Sequence, residues 1–249
     1  MRWSRIGWGV ALALVFVAAL VVYAPARLLG LVLPAQQVVM TGFEGTLWRG
    51  GASRCLLRLP PGFLHLGSVR WSLDPASLLL LSPRLSVSSR WGDQTLNGKL
   101  RLRGGQDIDL ADFDMRASAD LVQHFAPLAV DGAFSVQLEQ LSLRDGLPHS
   151  ASGRAVWQDA GFQSPRGRVP LGSYALDVEQ PPGEVLVGEV ITLSGPLQAE
   201  GSIELRGRVY TIDLLLGSDD TLDPQLQDAL ALMAAPEGDR YRVSLEGGF

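Results

Sequence analysis

Histidine serves in catalysis and metal binding more often than most residues, and this 249-residue chain has only three: His65, His124 and His149. They are scattered along the chain, and none has a second ligand at metal-binding spacing. The sequence also lacks a G-x-S-x-G nucleophile elbow and a glycine-rich phosphate loop followed by lysine. We therefore predict no enzyme activity, no catalytic residues and no cofactor or metal site. An exported hydrolase is the alternative that this pattern argues against.

Four aspartates form the best candidate for a binding site, because carboxylates two residues apart can bind a hard cation such as calcium. The spacing fails the EF-hand pattern, since no glycine follows the third ligand position and no glutamate closes the loop. Alternation with apolar residues is also typical of the solvated face of a strand. We favour the solvated face for these residues, which are Asp107, Asp109, Asp112 and Asp114.

Cysteine and lysine each occur once in the chain. The single cysteine, Cys55, excludes an internal disulfide and a multi-cysteine metal site, and we predict that it is an unpaired, small hydrophobic residue in a strand. Lys99 alternates with Arg101 and Arg103, which is typical of a solvated strand face. The formal net charge of −5 argues against a nucleic-acid partner, which would need a basic face.

Residues 6–23 form an uncharged, apolar run that we interpret as a transmembrane helix. Its eighteen residues at the helical rise span about 27 Å, just enough for the apolar core of a bilayer. Arg2 and Arg5 precede the run, so the positive-inside rule places the N-terminus in the cytoplasm. The sequence therefore predicts a single-pass protein of the cell inner membrane, with the bulk of the chain in the periplasm.

This topology divides the chain into a cytoplasmic tail (1–5), the anchor (6–23), a linker (24–37) and a periplasmic β-rich domain (38–249), with a sub-boundary near 125–132. The alternative is a signal peptide that is cleaved after Ala26, because Ala24 and Ala26 flank Pro25 in a small-x-small pattern. The apolar run exceeds the usual length of about 7–15 residues for such a signal, so we favour a retained anchor.

Alternation of apolar residues with a period of two predicts β-strands along the exported body. Turn-forming residues follow one another at intervals of about ten residues, which favours an antiparallel meander because parallel pairing needs long crossovers. We predict a mostly β fold, in which a single N-terminal transmembrane helix precedes an antiparallel, curved or groove-like β-sheet domain with a short C-terminal helix. Two segments that begin at Gly132 and Gly201 each resemble a hairpin. The alternating sets are Leu85, Val87 and Trp91; Leu96, Leu100 and Leu102; Tyr174, Leu176 and Val178; Tyr210, Ile212, Leu214 and Leu216; and Tyr241, Val243 and Leu245.

Two Asp-Pro pairs predict helix starts, since aspartate caps a helix and proline fits its first position. Asp74 and Pro75 precede the short apolar run 78–81, which is far too short to cross a membrane. Asp223 and Pro224 precede the predicted C-terminal helix. Its apolar residues fall on one face at helical spacing and are predicted to pack on the sheet: Leu226, Ala229, Leu230 and Met233.

Three stretches of the sequence together resemble the type II secretion system protein N family. They are VVMTGFEGTLWRGGAS (38–53), VRWSLDPASLLLLSPRLSV (69–87) and LSGPLQAEGSIELRGRVYTIDLLL (193–216). The resemblance covers nearly the whole chain, although similar glycine-strand repeats occur in AsmA-like envelope proteins. For Gly42, Gly45 and Gly50 we expect a positive φ or a close backbone approach at the first hairpin, and for Trp48 and Trp71 apolar area inside the fold.

This resemblance implies an inner-membrane accessory component of the machine that exports folded proteins across the outer membrane. Its partners would be other type II secretion system proteins, the contact residues are unknown, and no catalytic residues come with the family. The alternative is an AsmA-like lipid-handling or envelope-homeostasis protein with a lipid in an apolar groove. Such a groove would be lined by alternate strand residues, for example Leu85 and Val87, or Tyr210, Ile212 and Leu214.

Overall fold

The structure, a computed structural model, describes residues 12, 16, 19–33, 36–59, 62–104, 107–124, 130–164, 167–179, 185–218, 226, 227, 230 and 234–248. Most of this part of the chain is β-strand, as the period of two predicts.

Among the described residues, fourteen strands form one sheet in which every neighbouring pair is antiparallel. Strands β1 to β12 follow one another in chain order, and β14 then lies between β12 and β13. The sheet is open, with β1 at one edge and β13 at the other, so the predicted antiparallel meander is confirmed. The strands are β1 (Val38–Gly45), β2 (Arg49–Leu59), β3 (Gly62–Leu73), β4 (Arg84–Trp91), β5 (Gln94–Gly104), β6 (Asp107–Ser118), β7 (Val130–Arg144), β8 (Leu147–Ser164), β9 (Gly167–Glu179), β10 (Leu186–Ser194), β11 (Gln198–Arg206), β12 (Val209–Gly217), β13 (Ala235–Glu237) and β14 (Arg240–Gly248).

Of the two hairpins predicted from the sequence, the one after Gly201 is confirmed and the one after Gly132 is wrong. The segment after Gly201 contains the turn between β11 and β12, as expected. The segment after Gly132 is a single continuous strand, β7, whose turn comes only at Asp145 and Gly146. Glu139 and Gln140, in the middle of this segment, lie at a β-bulge inside the strand and not at a turn.

In the part of the chain that the structure describes, helices are few and short. A 3-10 helix (Ala26–Leu28) leads into α1 (Leu29–Val32), and a second 3-10 helix (Ala119–His124) follows β6. Helix α2 (Pro75–Leu79) begins as predicted, because the Asp74 carboxylate accepts a hydrogen bond from the Ala76 backbone N–H.

The two terminal helices predicted from the sequence lie largely outside the described residues. At the N-terminus, Leu12, Phe16 and residues 19–22 are helical. Among the described residues, no helix is long and apolar enough to span a bilayer. At the C-terminus, Leu226, Gln227 and Leu230 are helical, and Leu230 is buried, while the Asp223 cap, Ala229 and Met233 lie outside the described part.

The sheet is a single layer over most of its extent, and its buried residues are accordingly small. Alanine is the commonest fully buried residue in the described part, and one apolar cluster with Trp71 and Val69 lies where β1 to β3 meet the segment after the N-terminal helix. The accessible surface of the chain is 16396 Å². A compact globular protein of 26.8 kDa would expose about 10,800 Å². An open single sheet contributes to the difference, because it leaves both of its faces accessible to solvent.

Candidate interaction surfaces

One face of the sheet is apolar from β2 to β14. Residues that lie opposite each other on neighbouring strands form a row across this face, and every member of the row is apolar or glycine. The row is Gly50, Trp71, Val87, Gly98, Phe113, Leu138, Gly153, Val178, Gly188, Ile203, Ile212 and Leu245. Most large side chains of this face are half-buried, so it is the surface on which apolar partners could bind.

The residues proposed for a groove share this apolar face. Leu85 and Val87 pair with Leu100 and Gly98 near one edge. Tyr210, Ile212 and Leu214 pair across β11 and β14 near the other edge. The structure therefore brings them onto one face, many strands apart.

The opposite face is polar along a parallel row. The row is Arg70, Ser88, Asn97, Asp114, Gln137, Arg154, Asp177, Glu189, Ser202, Asp213 and Ser244. The Arg154 guanidinium donates two hydrogen bonds to Asp177, at 2.5 and 2.7 Å. These bonds hold the pKa of Asp177 below its ordinary value and raise the pKa of Arg154.

All four aspartates of the candidate cation site lie in β6 on this polar face. The step of three residues between Asp109 and Asp112 is a β-bulge, where Asp112 has a φ of +48° and shifts the register against β5. Asp112 pairs with Lys99 at 2.7 Å, and Asp109 is bonded by Arg103 and by Arg144. Asp107 accepts a hydrogen bond from the Asp145 backbone N–H at 3.1 Å, and Asp114 accepts one from the Gln137 side-chain amide at 3.4 Å. Among the described residues, no group of three or more ligating side chains could hold a metal ion.

Asp109 is the least exposed of the aspartates that form an ion pair, with 17% of its side chain exposed. Burial by itself would raise the pKa of Asp109. The hydrogen bonds from Arg103, Arg144 and Ser142 outweigh that effect and hold the pKa below its ordinary value.

The two histidines whose side chains the structure describes, His65 and His149, lie on strands far apart in the sheet. His65 stacks on Trp91 with ring centroids 5.8 Å apart, His149 is exposed on β8, and the backbone of His124 ends a 3-10 helix. Cys55 is fully buried in β2, as predicted, and burial raises the pKa of its thiol. It is therefore a packing residue with a weakly reactive thiol.

The glycines and Trp48 of the first motif, together with Trp71 of the second, form a junction between the sheet and the N-terminal helix. Gly42 and Gly45 have φ of +70° and +77°, and a Cβ on Gly50 would lie 2.7 Å from the Trp71 ring, so all three predictions for these glycines are confirmed. Trp71 is buried in the core and donates its indole N–H to the Leu47 carbonyl at 3.0 Å.

Trp48 has a role that the sequence did not predict. Its indole Nε1 donates to the backbone carbonyl of Val21, at 2.8 Å, at the end of the N-terminal helix. The Leu47 N–H donates to the Ala24 carbonyl, also at 2.8 Å, and Pro25 forms a β-bridge with Thr46. We call residues 46–48 the docking turn, because they fix the first hairpin to the helix.

The family model for type II secretion system (T2SS), protein N, matches residues 36–244. Type II secretion system protein N of Aeromonas hydrophila is 28% identical over 243 residues, which cover 93% of this chain and 94% of that protein. The protein of the same name from Vibrio cholerae serotype O1 is 25% identical over 257 residues, covering 97% and 98%. That from Pectobacterium carotovorum is 28% identical over 224 residues, covering 87% and 86%.

No solved structure matches this chain. The family model spans the sheet from its first strand into its last, and the relatives match over nearly their whole length. The chain therefore belongs to the type II secretion system protein N family.

Proposed function

We propose that this protein is an inner-membrane accessory component of the type II secretion system and supports the export of folded proteins through protein–protein contacts. The family match over residues 36–244 carries the proposal. The apolar run 6–23 and the arginines before it support a single anchor with the N-terminus in the cytoplasm and the sheet in the periplasm.

The open sheet suits a binding role. It exposes two broad faces, and charged residues are distributed unevenly along the sequence. Residues 38–104 carry nine lysines and arginines against three aspartates and glutamates, whereas residues 105–249 carry nine against 23. Two regions of opposite charge on one sheet favour partners bound in a fixed orientation.

Chemical cross-linking in intact cells, followed by affinity purification of the full chain, tests this proposal. We expect other secretion-system proteins to co-purify, and the chain itself to fractionate with the inner membrane. Recovery without any secretion protein, together with release of the chain by alkaline carbonate, would overturn both parts of the proposal.

A second candidate function is lipid handling of the AsmA-like type. The observation that favours it is the continuous apolar face, since burial of acyl chains is worth about 0.8 kcal/mol per methylene. Native mass spectrometry of the full chain released from detergent should then detect bound phospholipid. A spectrum that contains only the bare protein would count against this candidate and leave the secretion role unaffected.

A further inference from the structure

The segment between β3 and β4 contains a short apolar projection at the end of helix α2. We call this projection, residues 78–81, the knuckle. Helix α2 closes with a complete Schellman motif, in which the Ser82 N–H donates to the Ser77 carbonyl and the Leu81 N–H to the Leu78 carbonyl. Ser77 is buried, and its hydroxyl accepts from the Arg84 N–H at 2.8 Å. These hydrogen bonds fix the backbone on both sides of the knuckle.

Leucine stands at the position of this motif where glycine is the usual residue. Leu81 has a φ of +51°, in the left-handed region that a branched side chain disfavours. Its side chain is also 86% exposed, and that of Leu80 is 73% exposed. In the described part of the chain, neither the backbone conformation of Leu81 nor packing of the two side chains accounts for leucine at these positions. Exposed leucines of this kind are typical of a surface that contacts another molecule.

Two arginines flank the knuckle without carboxylate partners in the described part of the chain. Arg84 and Arg101 lie directly opposite each other on β4 and β5. Arg101 donates to the Ser82 hydroxyl at 2.7 Å, and Arg84 is exposed. On its other side Arg101 lies opposite Asp109 of β6, but that carboxylate is bonded by Arg103 and Arg144. Like charges in directly opposed positions destabilise a strand pair, and an anion placed between Arg84 and Arg101 would reduce that repulsion.

The knuckle lies beside the point where the chain meets its N-terminal helix. The Leu73 N–H, at the end of β3, donates to the Trp48 carbonyl at 2.7 Å. Trp48 in turn bonds to Val21 of that helix. Hydrogen bonds thus connect the helix end, the docking turn and the start of the knuckle segment, all at one end of the sheet.

We propose that Leu80 and Leu81 insert into the surface of the bilayer that holds the anchor, while Arg84 and Arg101 bind the phosphates of anionic phospholipids. Leucine beside arginine is the combination that an interfacial contact requires, since the leucine enters the acyl boundary and the arginine stays among the headgroups. The inference rests on the membrane anchor of the proposed function. With the anchor, this second contact would hold the sheet at two points and fix the orientation of the sheet on the membrane.

Fluorescence quenching in vesicles tests the insertion. Full-length Leu81→Cys is labelled with an environment-sensitive fluorophore and reconstituted into vesicles of phosphatidylethanolamine and phosphatidylglycerol that contain nitroxide-labelled lipid. The native Cys55 is buried and does not compete for the label. Asp93→Cys, in the exposed turn at the other end of β4, is the matched control. We expect the label at 81 to be quenched and the label at 93 to remain bright.

Two outcomes would overturn the inference in distinguishable ways. If alkaline carbonate leaves the chain in the vesicles but both labels stay bright, the knuckle contacts something other than lipid and the anchor stands. If carbonate extracts the chain, the anchor fails and the inference fails with it.

The arginines are tested with the same label. Quenching at 81 should weaken when phosphatidylcholine replaces phosphatidylglycerol, and it should become independent of this exchange in an Arg84→Gln, Arg101→Gln double variant. Equal dependence on phosphatidylglycerol with and without the two arginines would contradict their binding to phosphate. Unchanged thermal unfolding of the double variant confirms that the fold is kept.

Discussion

At the scale of single residues, ion pairs on the polar face show which charges stabilise the sheet. Asp109 is largely covered and receives hydrogen bonds from Arg103 and Arg144, whereas Lys99 and Asp112 are exposed. Exposed pairs contribute little because water screens them and long side chains lose entropy. Asp109 and Asp112 should therefore differ measurably in how much each stabilises the fold.

Replacing Asp109 with asparagine should lower the free energy of unfolding by about 1–2 kcal/mol at pH 7, the value of charged hydrogen bonds reduced by partial exposure. The pKa of Asp109 lies below its ordinary value. Its stabilisation is therefore complete above about pH 4 and is lost as the pH falls through the lowered pKa. Urea unfolding of the full chain in detergent at pH 7 and pH 3 measures both effects.

Asp112→Asn is the control for that measurement. Because its partner Lys99 is exposed, this change should alter stability by no more than about 0.5 kcal/mol. If the two variants lose the same free energy of unfolding, the burial of Asp109 does not increase its contribution to stability.

The bulge at Asp112 is a feature of the candidate site that could not be predicted from the sequence. Alternation with Ile108 and Leu110 identified a solvated strand face. The step of three residues to Asp112 could not be interpreted, because a bulge depends on the register of β5, which a single sequence does not reveal. The positive φ and close approaches of the motif glycines were predictable, because small residues cluster where backbones must meet.

Gly50→Ala should destabilise the protein by about 1–3 kcal/mol, because the added methyl group overpacks the site. Its Cβ would lie 2.6 Å from the Thr46 carbonyl oxygen and 2.7 Å from the Trp71 ring. In Gly51→Ala the nearest atoms lie at 3.1 Å, so this neighbour should be better tolerated. Thermal unfolding compares the two variants, and a larger loss for Gly51→Ala would contradict the packing of the docking turn.

At the scale of elements, the docking turn and the knuckle form one end of the sheet. The sequence predicted the Asp74 cap because its chemistry is local. It could not predict the bond from Trp48 to Val21, which joins residues 27 positions apart. Ala26 is 1% exposed in the core cluster, so cleavage after this residue would remove part of the packing and separate the helix from the turn.

Trp48→Phe should loosen the docking turn. Without the indole donor, the Leu47 amide bonded to Ala24 should exchange its hydrogen up to about tenfold faster, the factor that corresponds to the loss of one hydrogen bond. Hydrogen exchange read by mass spectrometry on a peptide that contains Leu47 measures this rate. Trp157→Phe, which removes an indole bond to Asp131 far along the sheet, is the control and should leave the rate unchanged.

Leu81→Gly should raise the free energy of unfolding by about 0.5–1 kcal/mol, because glycine adopts the left-handed conformation without strain. Leu80 has an ordinary φ of −90°, so Leu80→Gly should lower the stability by a similar amount. Urea unfolding of both variants provides the comparison. A loss of stability in Leu81→Gly would show that Leu81 packs within the chain and would remove the reason to seek a contact outside it.

At the scale of the whole molecule, the meander of β1 to β12 followed from the sequence, whereas the position of β14 between β12 and β13 and the openness of the sheet did not. Regular turns at short intervals leave a meander as the simple arrangement. Whether such a sheet closes depends on twist and on the bulges distributed along it, which a local pattern does not contain. The two unlike faces follow from alternation, as the rows through Val87 and Ser88 show.

The whole-molecule claim is that this protein works in type II secretion. An in-frame deletion in the source bacterium, with secreted proteins quantified in the culture medium and in the periplasm, tests it most directly. We predict that the exoproteins accumulate in the periplasm and that the full chain supplied in trans restores their release. Secretion that is unchanged by the deletion would contradict this account.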